Sequence, residues 1–338
     1  MVESENDGQR NKEFTAMKSC LTCPHPVQNL RTYHARDRIT GEVFEVEECL
    51  ACALSRTRVP EDFDAGKYYP PMYYGLKNKR FVGAVETAIR MFRHRRARQL
   101  QRWSGLETGR VLDIGCGRGL MLAKLKENGW TAVGTESSSA ASEYGRDVLG
   151  LDIKIAAELA DCGFEDNAFD AVTLWHVLEH QARPFEFLTE VRRILKPGGV
   201  LIAEVPNFGS WQAGMNKGRW IYTEVPRHLF HFSFGCLRDI LGAGQWEMIY
   251  AGTSSLEFGF FGMVQSLLNC FSPEENCLFK LLGRNRSRPP GVSRFVRGVS
   301  VVMTFLFLVP CAVIGVILEG LSVLTANGGA ARLIVRKI

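Results

Sequence analysis

The chain has 338 residues, 46% of them hydrophobic and 23% charged, with a formal net charge of +5. These values are typical of a folded globular protein and exclude a chain that is disordered throughout. The length allows one large domain with appendages or two ordinary domains. Because the net charge is small, any charge-driven binding must come from a local cluster of basic residues.

Residues 1–16 are polar and predict a disordered leader. They lack the apolar segment that a secretory signal peptide requires. The ten cysteines of the chain therefore indicate a reducing compartment, where paired cysteines more often bind metal or carry out redox chemistry than form structural disulfides. We expect a cytoplasmic protein.

Residues 17–60 contain two Cys-x-x-Cys pairs, Cys20 with Cys23 and Cys49 with Cys52, which flank a stretch with strand-like alternation. The 25 residues between the pairs are typical of a four-thiolate zinc ribbon. We predict a small lobe in which structural zinc supplies the folding free energy that a short segment lacks. Free or redox-active thiols are the alternative interpretation.

Residues 61–109 combine an aromatic-rich linker, at 61–76, with a basic amphipathic helix that ends near Trp103. Nine lysines and arginines between Lys77 and Arg102 are opposed only by Glu86. Such a cluster suits an anionic surface, either phospholipid or nucleic acid, and it is equally typical of a solvated helix face. The sequence does not choose between the two.

From residue 110 onward the pattern changes to alternating strands and helices. Such alternation is typical of an α/β domain with a mainly parallel, doubly wound sheet. We predict this domain over residues 110–253. Its predicted strands are 111–114, 131–135, 153–156, 171–175, 200–205 and about 246–251, and its predicted helices are 120–128, a segment up to 148, and 184–195.

A glycine-rich loop with the sequence DIGCGRG, residues 113–119, joins the first of these strands to a helix, at the sheet edge where such folds bind ligands. Dinucleotide enzymes use a similar loop, so the loop alone does not identify the ligand. The G-x-G-x-G spacing and the preceding acid favour S-adenosylmethionine over NAD, because that acid suits a cationic amino group and would repel a pyrophosphate. The predicted cofactor-binding residues of the loop are Asp113, Gly115, Cys116, Gly117 and Gly119.

Glu136 ends the second strand of the domain, 17 positions after Gly119. A carboxylate at this place can accept hydrogen bonds from both hydroxyls of a ribose, a role that dinucleotide sites share. An ordinary surface acid is the alternative. With the glycine loop before it, we predict that Glu136 binds the cofactor ribose.

Four segments together resemble class I S-adenosylmethionine-dependent methyltransferases of the ubiquinone- and menaquinone-biosynthesis-like superfamily. The segments are VLDIGCGRG at 111–119, AVGTE at 132–136, FEDNAFDAVTLWHVLEH at 164–180 and LKPGGVLIAEVPN at 195–207. The resemblance implies a Rossmann-like sheet of seven strands. It also implies that Glu158 and Leu159 contact the adenine and that His176 packs against the methionine portion. Glu158 stands where the family more often has an aspartate.

Methyl transfer from a sulfonium needs alignment of donor and acceptor, and a base where the acceptor carries its proton on oxygen or carbon. Histidine is the natural base near neutral pH. The candidate catalytic residues are His176, His180 and His228, which stand in segments that resemble those bordering the acceptor pocket of the family. Each of them could instead only orient a loop.

Nucleic acid is not the expected acceptor. Enzymes that methylate amino groups of bases place an Asp/Asn-Pro-Pro-aromatic segment after the fourth strand, where it grips an extruded base. This chain has HVLEH at 176–180 instead. We predict a small-molecule or lipid-linked acceptor. By a resemblance to some sugar and natural-product methyltransferases, residues 17–76 would cover that acceptor as a lid.

The segment 299–318 is apolar and uncharged over 20 residues, long enough to span a bilayer as a helix. However, residues 331–338 resemble the last strand of the methyltransferase sheet, antiparallel beside the strand at 246–251. The chain must therefore return to the side of the membrane on which the rest of the sheet lies. Arginines flank the run at both ends, which favours the cytoplasmic face. We predict a helical, membrane-contacting insertion at 254–330, either a re-entrant hairpin broken near Pro310 or a helix in the interface. A buried helical hairpin or a dimer interface is the alternative.

These observations predict methyl transfer from S-adenosylmethionine to the oxygen or carbon of a small or lipid-linked acceptor, at the cytoplasmic face of the inner membrane. The rival hypothesis is a non-catalytic, membrane-anchored module that binds S-adenosylmethionine. The sequence identifies neither the acceptor nor the oligomeric state.

Overall fold

The computed structural model describes residues 29–70, 83–243, 245–283 and 292–338. The predicted leader at 1–16 and two of the predicted zinc ligands, Cys20 and Cys23, lie outside the described residues. The strands are β1 Leu30–Arg36, β2 Val43–Cys49, β3 Ser55–Thr57, β4 Arg110–Ile114, β5 Thr131–Glu136, β6 Asp152–Ile155, β7 Phe169–Trp175, β8 Leu195–Pro206, β9 Phe230–His231, β10 Trp246–Gly252 and β11 Ala330–Lys337. The helices are α1 Gly83–Ser104, α2 Leu120–Glu127, α3 Ser139–Glu143, α4 Pro184–Ile194, α5 Trp211–Asn216, α6 Phe234–Gly242, α7 Gly259–Asn269, α8 Cys277–Leu282 and α9 Arg294–Leu324.

A seven-stranded sheet with the order β10-β11-β8-β7-β4-β5-β6 forms the centre of the molecule. Strands β4 to β8 are parallel, and β11 is antiparallel to both of its neighbours, β8 and β10. Side chains on both faces of the inner strands are fully buried, as a parallel sheet covered by helices requires. The predicted doubly wound α/β class and the predicted antiparallel last strand beside β10 are confirmed.

A second, antiparallel sheet joins the N-terminal lobe to the rest of the chain. Its order is β1-β2-β3-β9, and its last strand comes from the segment after β8. A buried ion pair reinforces this junction: Arg227 Nη2 lies 2.7 Å from Asp37 Oδ1, with both side chains fully inaccessible to solvent. The same guanidinium donates to the carbonyl of Tyr68 at 3.1 Å. The lobe is therefore packed directly on the domain that bears the central sheet.

The basic helix α1 directs part of its charge inward. Arg96 is buried, lies 2.5 Å from the carboxylate of Glu257, and stands over the ring of Trp175 at 4.4 Å from the centroid. Glu86 pairs with Arg118 of the glycine-rich loop at 2.7 Å. From residue 83 onward, the basic run is thus divided between a structural ion-pair network and a solvated face, while Lys77, Lys79 and Arg80 lie outside the described residues.

Helix α9 is continuous from Arg294 to Leu324 with Pro310 inside it, so the predicted break near Pro310 is wrong. A proline inside a helix removes one hydrogen bond. The turns after Pro310 pack against α7, where Cys311 joins Val264 and Leu268 in one cluster, and this packing holds the helix together. Because only 17% of its most apolar window is buried, the buried-hairpin alternative is also wrong.

Replacing Asp37 with Asn should destabilise the protein, because it leaves the Arg227 guanidinium buried without its main anionic partner. We expect a loss of about 3 kcal/mol in the free energy of unfolding, near the lower end for a broken buried pair. Glu224 remains 3.6 Å from Arg227 Nε and limits the loss. Urea unfolding measures the change, with the exposed Asp62→Asn of the same lobe as the matched control. Equal losses in the two variants would contradict the role of the pair.

Candidate active site

The glycine-rich loop turns sharply between β4 and α2. Gly115 and Gly119 have φ values of +67° and +68°, and a Cβ at these positions would lie 2.6 Å from Val177 and 2.5 Å from Leu151. Gly117 differs, because its φ is +53° and an added Cβ would have no neighbour within 4 Å. Packing therefore requires glycine at positions 115 and 119, whereas Gly117 exposes bare backbone to open space.

Glu136 holds the loop and the following turn in place. Its Oε2 accepts a hydrogen bond from the backbone N–H of Gly117 at 3.0 Å, and its Oε1 accepts one from the N–H of Ser138 at 3.1 Å. The carboxylate thus stands at the carboxyl end of β5, directly beside the loop. This is the edge of a doubly wound sheet at which ligands bind.

Asp113 lies beneath the loop, where its side chain is 4% exposed. Burial raises the pKa of its carboxyl to about 6, although the hydrogen bond that Oδ1 accepts from Thr173 Oγ1 at 2.6 Å opposes the shift. A buried carboxylate at this position is well placed to favour a nearby cation. With a pKa of about 6, this carboxyl changes between its neutral and its ionised form close to physiological pH.

One cavity of about 1110 Å³ opens at this sheet edge. Six of the predicted site residues line it, namely Gly115, Glu136, Glu158, Leu159, His176 and His180. The other predicted site residues in the described part of the chain are not among those that line it, namely Cys49, Cys52, Asp113, Cys116, Gly117, Gly119 and His228. The cavity is large enough for a nucleoside and a second molecule together.

The opposite wall of the cavity comes from the N-terminal lobe and was not predicted residue by residue. Side chains of the segment after β3 line it, including Val59, Pro60, Phe63, Tyr68 and Tyr69. The aromatic-rich composition of residues 61–76 was the available signal. Sequence reasoning also missed the lining residues Thr135, Ser137, Asp161 and Val177, which carry no distinctive pattern.

His176 follows β7 and lies between two carboxylates. Its Nδ1 is 3.4 Å from Glu179 Oε1 and its Nε2 is 3.2 Å from Glu204 Oε1, and its ring stacks on Phe258 with centroids 3.7 Å apart. Burial opposes protonation, but Glu179 and Glu204 outweigh it and raise the pKa of His176 to about 9. The residue is an imidazolium at neutral pH and has no free lone pair there.

His180 and His228 pack edge to face, with ring centroids 4.7 Å apart. Burial, with a further contribution from His180, holds the pKa of His228 well below its usual range. His231 is also neutral, because burial lowers its pKa to about 3, and its Nε2 lies 3.0 Å from Thr57 Oγ1 in the lobe sheet. Of these three histidines, His180 is the one that lines the cavity.

Residues 86–251 match the profile of a protein family described as "Methyltransferase domain". A ubiquinone biosynthesis O-methyltransferase of Maricaulis maris is 32% identical over 131 residues, which cover 36% of this chain and 52% of that protein. A demethylmenaquinone methyltransferase of Clavibacter sepedonicus is 35% identical over 96 residues, 28% of this chain and 39% of that protein. The chain therefore spans about half or less of the length of these curated relatives.

A solved structure described as a SAM-dependent methyltransferase from Archaeoglobus fulgidus is also similar. It is 20% identical, with a TM-score of 0.45, and the match covers 73% of this chain and 94% of that chain. The fold itself is defined by the strand order and the antiparallel last strand described above.

The central sheet, the glycine-rich loop and the acid at the end of β5 define a class I S-adenosylmethionine-dependent methyltransferase domain. Residues 86–251 of this chain belong to the methyltransferase family whose profile they match. The resemblance seen in the four sequence segments is thus confirmed.

Binding of S-adenosylmethionine should weaken as the pH falls through about 6. The ionised Asp113 favours the cationic amino end of the ligand, and the pKa of this carboxyl, about 6, lies above its ordinary value. Affinity should be flat above that pH and fall by about tenfold per pH unit below it. Titration calorimetry between pH 5 and 7.5 measures this.

Asp113→Asn is the matched variant, because it keeps the shape of the side chain and removes the charge. It should bind more weakly at pH 7.5 and show no such pH dependence. A pH dependence that persists unchanged in Asp113→Asn would contradict this role of the carboxylate.

Proposed function

We propose that this protein transfers the methyl group of S-adenosylmethionine to the oxygen or carbon of a small or lipid-linked acceptor at the cytoplasmic membrane face. One observation carries the proposal: five of the nine predicted cofactor residues line the same cavity as an aromatic wall with His180, namely Gly115, Glu136, Glu158, Leu159 and His176. Donor and acceptor can therefore meet within one cavity, and their alignment there is the main requirement of an in-line displacement.

The residues of the loop edge fit S-adenosylmethionine, which when bound supplies an activated methyl group. Glu136 would accept hydrogen bonds from the ribose hydroxyls, and the open space over Gly117 allows a ligand to approach the backbone. Glu158 and Leu159 stand farther along the same cavity, where an adenine would lie. Asp113 would favour the amino end of the methionine from beneath the loop.

The acceptor half of the cavity suits an aromatic ring with a hydroxyl group. Phe63, Tyr68 and Tyr69 supply flat apolar surfaces, while His180 supplies a polar atom among them. The names of the curated relatives, which concern ubiquinone and menaquinone biosynthesis, support a quinone-like acceptor. The lobe would orient this ring and exclude water from the reacting atoms.

The proton of an acceptor hydroxyl must leave as the methyl group arrives. His176 is an imidazolium at neutral pH and is poorly suited to accept it. The neighbouring cluster of Glu179, His180 and His228 is the better candidate, and His180 is its member in the cavity. We propose that this cluster handles the proton, while His176 fixes the floor of the site.

His180→Ala should lower the rate of methyl transfer by about 10²- to 10⁴-fold while binding of S-adenosylmethionine changes little. The assay follows labelled methyl from S-adenosylmethionine into an extract of source cells, with the organic and aqueous phases counted separately. The exposed His34→Ala is the matched control. Label in the organic phase supports a lipid acceptor, whereas label only in the aqueous phase contradicts a lipid acceptor. Binding without any transfer would favour the non-catalytic module instead.

The distribution of side chains on helix α9 supports contact with a membrane. A surface helix of a soluble protein turns its apolar face towards the protein, whereas α9 turns its apolar face outward. The face turned towards the protein carries small or polar residues: Ser300, Thr304, Cys311, Gly315, Glu319 and Ser322. The outward face carries large apolar residues that are 46–83% exposed: Val302, Phe305, Leu306, Val309, Val313, Val316, Ile317, Leu321 and Leu324. An apolar patch of this extent marks an interaction surface.

We propose that this face lies in the bilayer interface with the helix axis parallel to the membrane. The helix packs along α7, and Glu319 at its far end accepts hydrogen bonds from Gln212 and from the backbone of Gly329, next to β11. These contacts tie both halves of α9 to the globular domain. Arg294 and Arg297 at its start suit the headgroups of anionic lipids.

A variant with Phe305→Ser, Val309→Ser and Val316→Ser should no longer float with anionic liposomes on a density gradient, because it loses much of the apolar face. Val43→Ser with Val148→Ser is the matched control, since these valines are 53% and 65% exposed elsewhere on the surface. If the triple variant still floats, or if the native protein stays at the bottom, α9 is not a lipid-binding surface.

We further propose that Cys20, Cys23, Cys49 and Cys52 bind structural zinc. Cys49 and Cys52 share a tight turn, in which Cys49 donates to the carbonyl of Leu54 at 2.9 Å and accepts from the N–H of Ala53 at 2.8 Å. The chain enters the described part beside this turn, since Leu50 donates to the carbonyl of Asn29 at 2.9 Å. Asn29 is six residues after Cys23 in the sequence, so the backbone at Asn29 already lies next to the pair of Cys49 and Cys52.

Cys49→Ser should release about one equivalent of zinc per chain and destabilise the lobe, because three thiolates hold the ion less tightly than four. Elemental analysis of the purified protein measures the zinc. The exposed Cys270→Ser is the matched control. Native protein without zinc, or zinc retained in Cys49→Ser, would contradict the proposal.

A further inference from the structure

The turn after β7 holds His176 in an unusual backbone conformation. Its φ is +61°, in the left-handed region that residues other than glycine rarely adopt. The N–H of His176 donates a hydrogen bond of 2.8 Å to the carbonyl of Glu204, which fixes this turn. Strain of this kind persists only where the surrounding contacts determine it, and it is typical of functional sites. The backbone thus directs the His176 ring to one fixed place at the floor of the cavity.

Three sides of this ring have defined neighbours. Its Nδ1 faces Glu179 and its Nε2 faces Glu204. Phe258 covers one face, with the two ring centroids 3.7 Å apart and the ring planes inclined by 27°. An imidazolium on an aromatic face is a favourable pair, because the quadrupole of the ring attracts the cation. What remains for the cavity is the opposite face and the carbon edge of His176, so Phe258 determines the plane in which this ring meets a ligand.

Phe258 belongs to a part of the chain for which no role in the reaction was predicted. It directly precedes α7, in the segment 254–330 that is predicted to be the membrane-contacting insertion. Its ring is partly buried and packs on Tyr222, with centroids 5.0 Å apart. In the described part of the chain, Phe258 is not among the residues that line the cavity. It therefore acts on the cavity through His176.

The two residues beside Phe258 fix its backbone. On one side, the carboxylate of Glu257 lies 2.5 Å from the buried guanidinium of Arg96 in α1. On the other side, Gly259 lies so close to α9 that an added Cβ would overlap the carboxylate of Glu319. Phe258 is thus anchored to α1 through one neighbour and to α9 through the other, which holds its ring in place against His176.

We propose that Phe258 is a positioning residue for methyl transfer, which holds the ring of His176 against the methionine portion of S-adenosylmethionine. The inference rests on the proposed function, in which His176 fixes the floor of the site. Methyl transfer requires the sulfur, the methyl carbon and the acceptor atom to lie in line, so a small displacement of the donor is costly. A flat and fixed surface beneath the methionine portion limits such a displacement. The insertion thereby contributes to the reaction site as well as to the proposed membrane surface.

Phe258→Leu tests this role in the full chain, because leucine keeps an apolar side chain and removes the flat face. The affinity for S-adenosylhomocysteine should fall about three- to tenfold, the equivalent of one aromatic stacking contact. The affinity for adenosine, which lacks the methionine portion, should not change. Phe258→Tyr keeps the ring and should keep the native affinity for both ligands. Phe260→Leu makes the same change at a phenylalanine that is 41% exposed and should have no effect. Titration calorimetry measures these affinities.

The comparison of the two ligands separates positioning from a structural role, because damage to the domain would weaken the binding of both. The proposal is overturned if Phe258→Leu binds S-adenosylhomocysteine as tightly as Phe258→Tyr does, or if it loses affinity for S-adenosylhomocysteine and adenosine equally. If Phe258→Leu does not fold, Phe258→Met, whose flexible side chain fills irregular space, should show the same difference between the ligands. A native protein that binds neither ligand would overturn the proposed function, and this inference with it.

Discussion

The geometry of the site depends on one buried carboxylate, Glu204, near the end of β8. It is 1% exposed, accepts a hydrogen bond from Arg332 Nε at 2.6 Å, and lies 3.2 Å from His176 Nε2 and 3.9 Å from Arg96 Nη2. These partners come from β11, the turn after β7 and helix α1. A carboxylate so deeply buried is stable only when cations compensate its charge. Glu204 thereby joins β11 and α1 to the imidazolium that forms the floor of the cavity.

The same coupling of distant segments produces the cavity. Strand β9 completes the sheet of the N-terminal lobe, and the buried pair of Arg227 with Asp37 fixes the lobe against the domain. The aromatic wall from the lobe is thus held opposite the loop edge of the central sheet. Helix α9 returns to β11, next to β8, so the apolar outer face and the cavity belong to one body. A lipid-linked acceptor would require such a connection between membrane surface and reaction site.

Local patterns were sufficient to predict the central sheet, because strands buried on both faces are continuous apolar runs and the glycine loop has a fixed spacing. The antiparallel β11 was also predictable, by resemblance. Contacts between distant segments were not predictable. The charge of His176 depends on Glu179, three positions later, and also on Glu204, 28 positions later, and only the first of these contacts is local. The inward turn of Arg96 depends on Glu257, and the continuity of α9 through Pro310 depends on its packing against α7. A proline alone indicates a break, since the sequence does not show what surrounds it.

The central claim is that the loop edge with Glu136 binds S-adenosylmethionine. Its most direct test is titration calorimetry with S-adenosylhomocysteine, comparing the native protein with Glu136→Ala and with the exposed Glu143→Ala as the matched control. Loss of charged hydrogen bonds to the ribose predicts an affinity about 10- to 100-fold weaker for Glu136→Ala and no change for Glu143→Ala. An unchanged affinity in a folded Glu136→Ala protein would contradict the account.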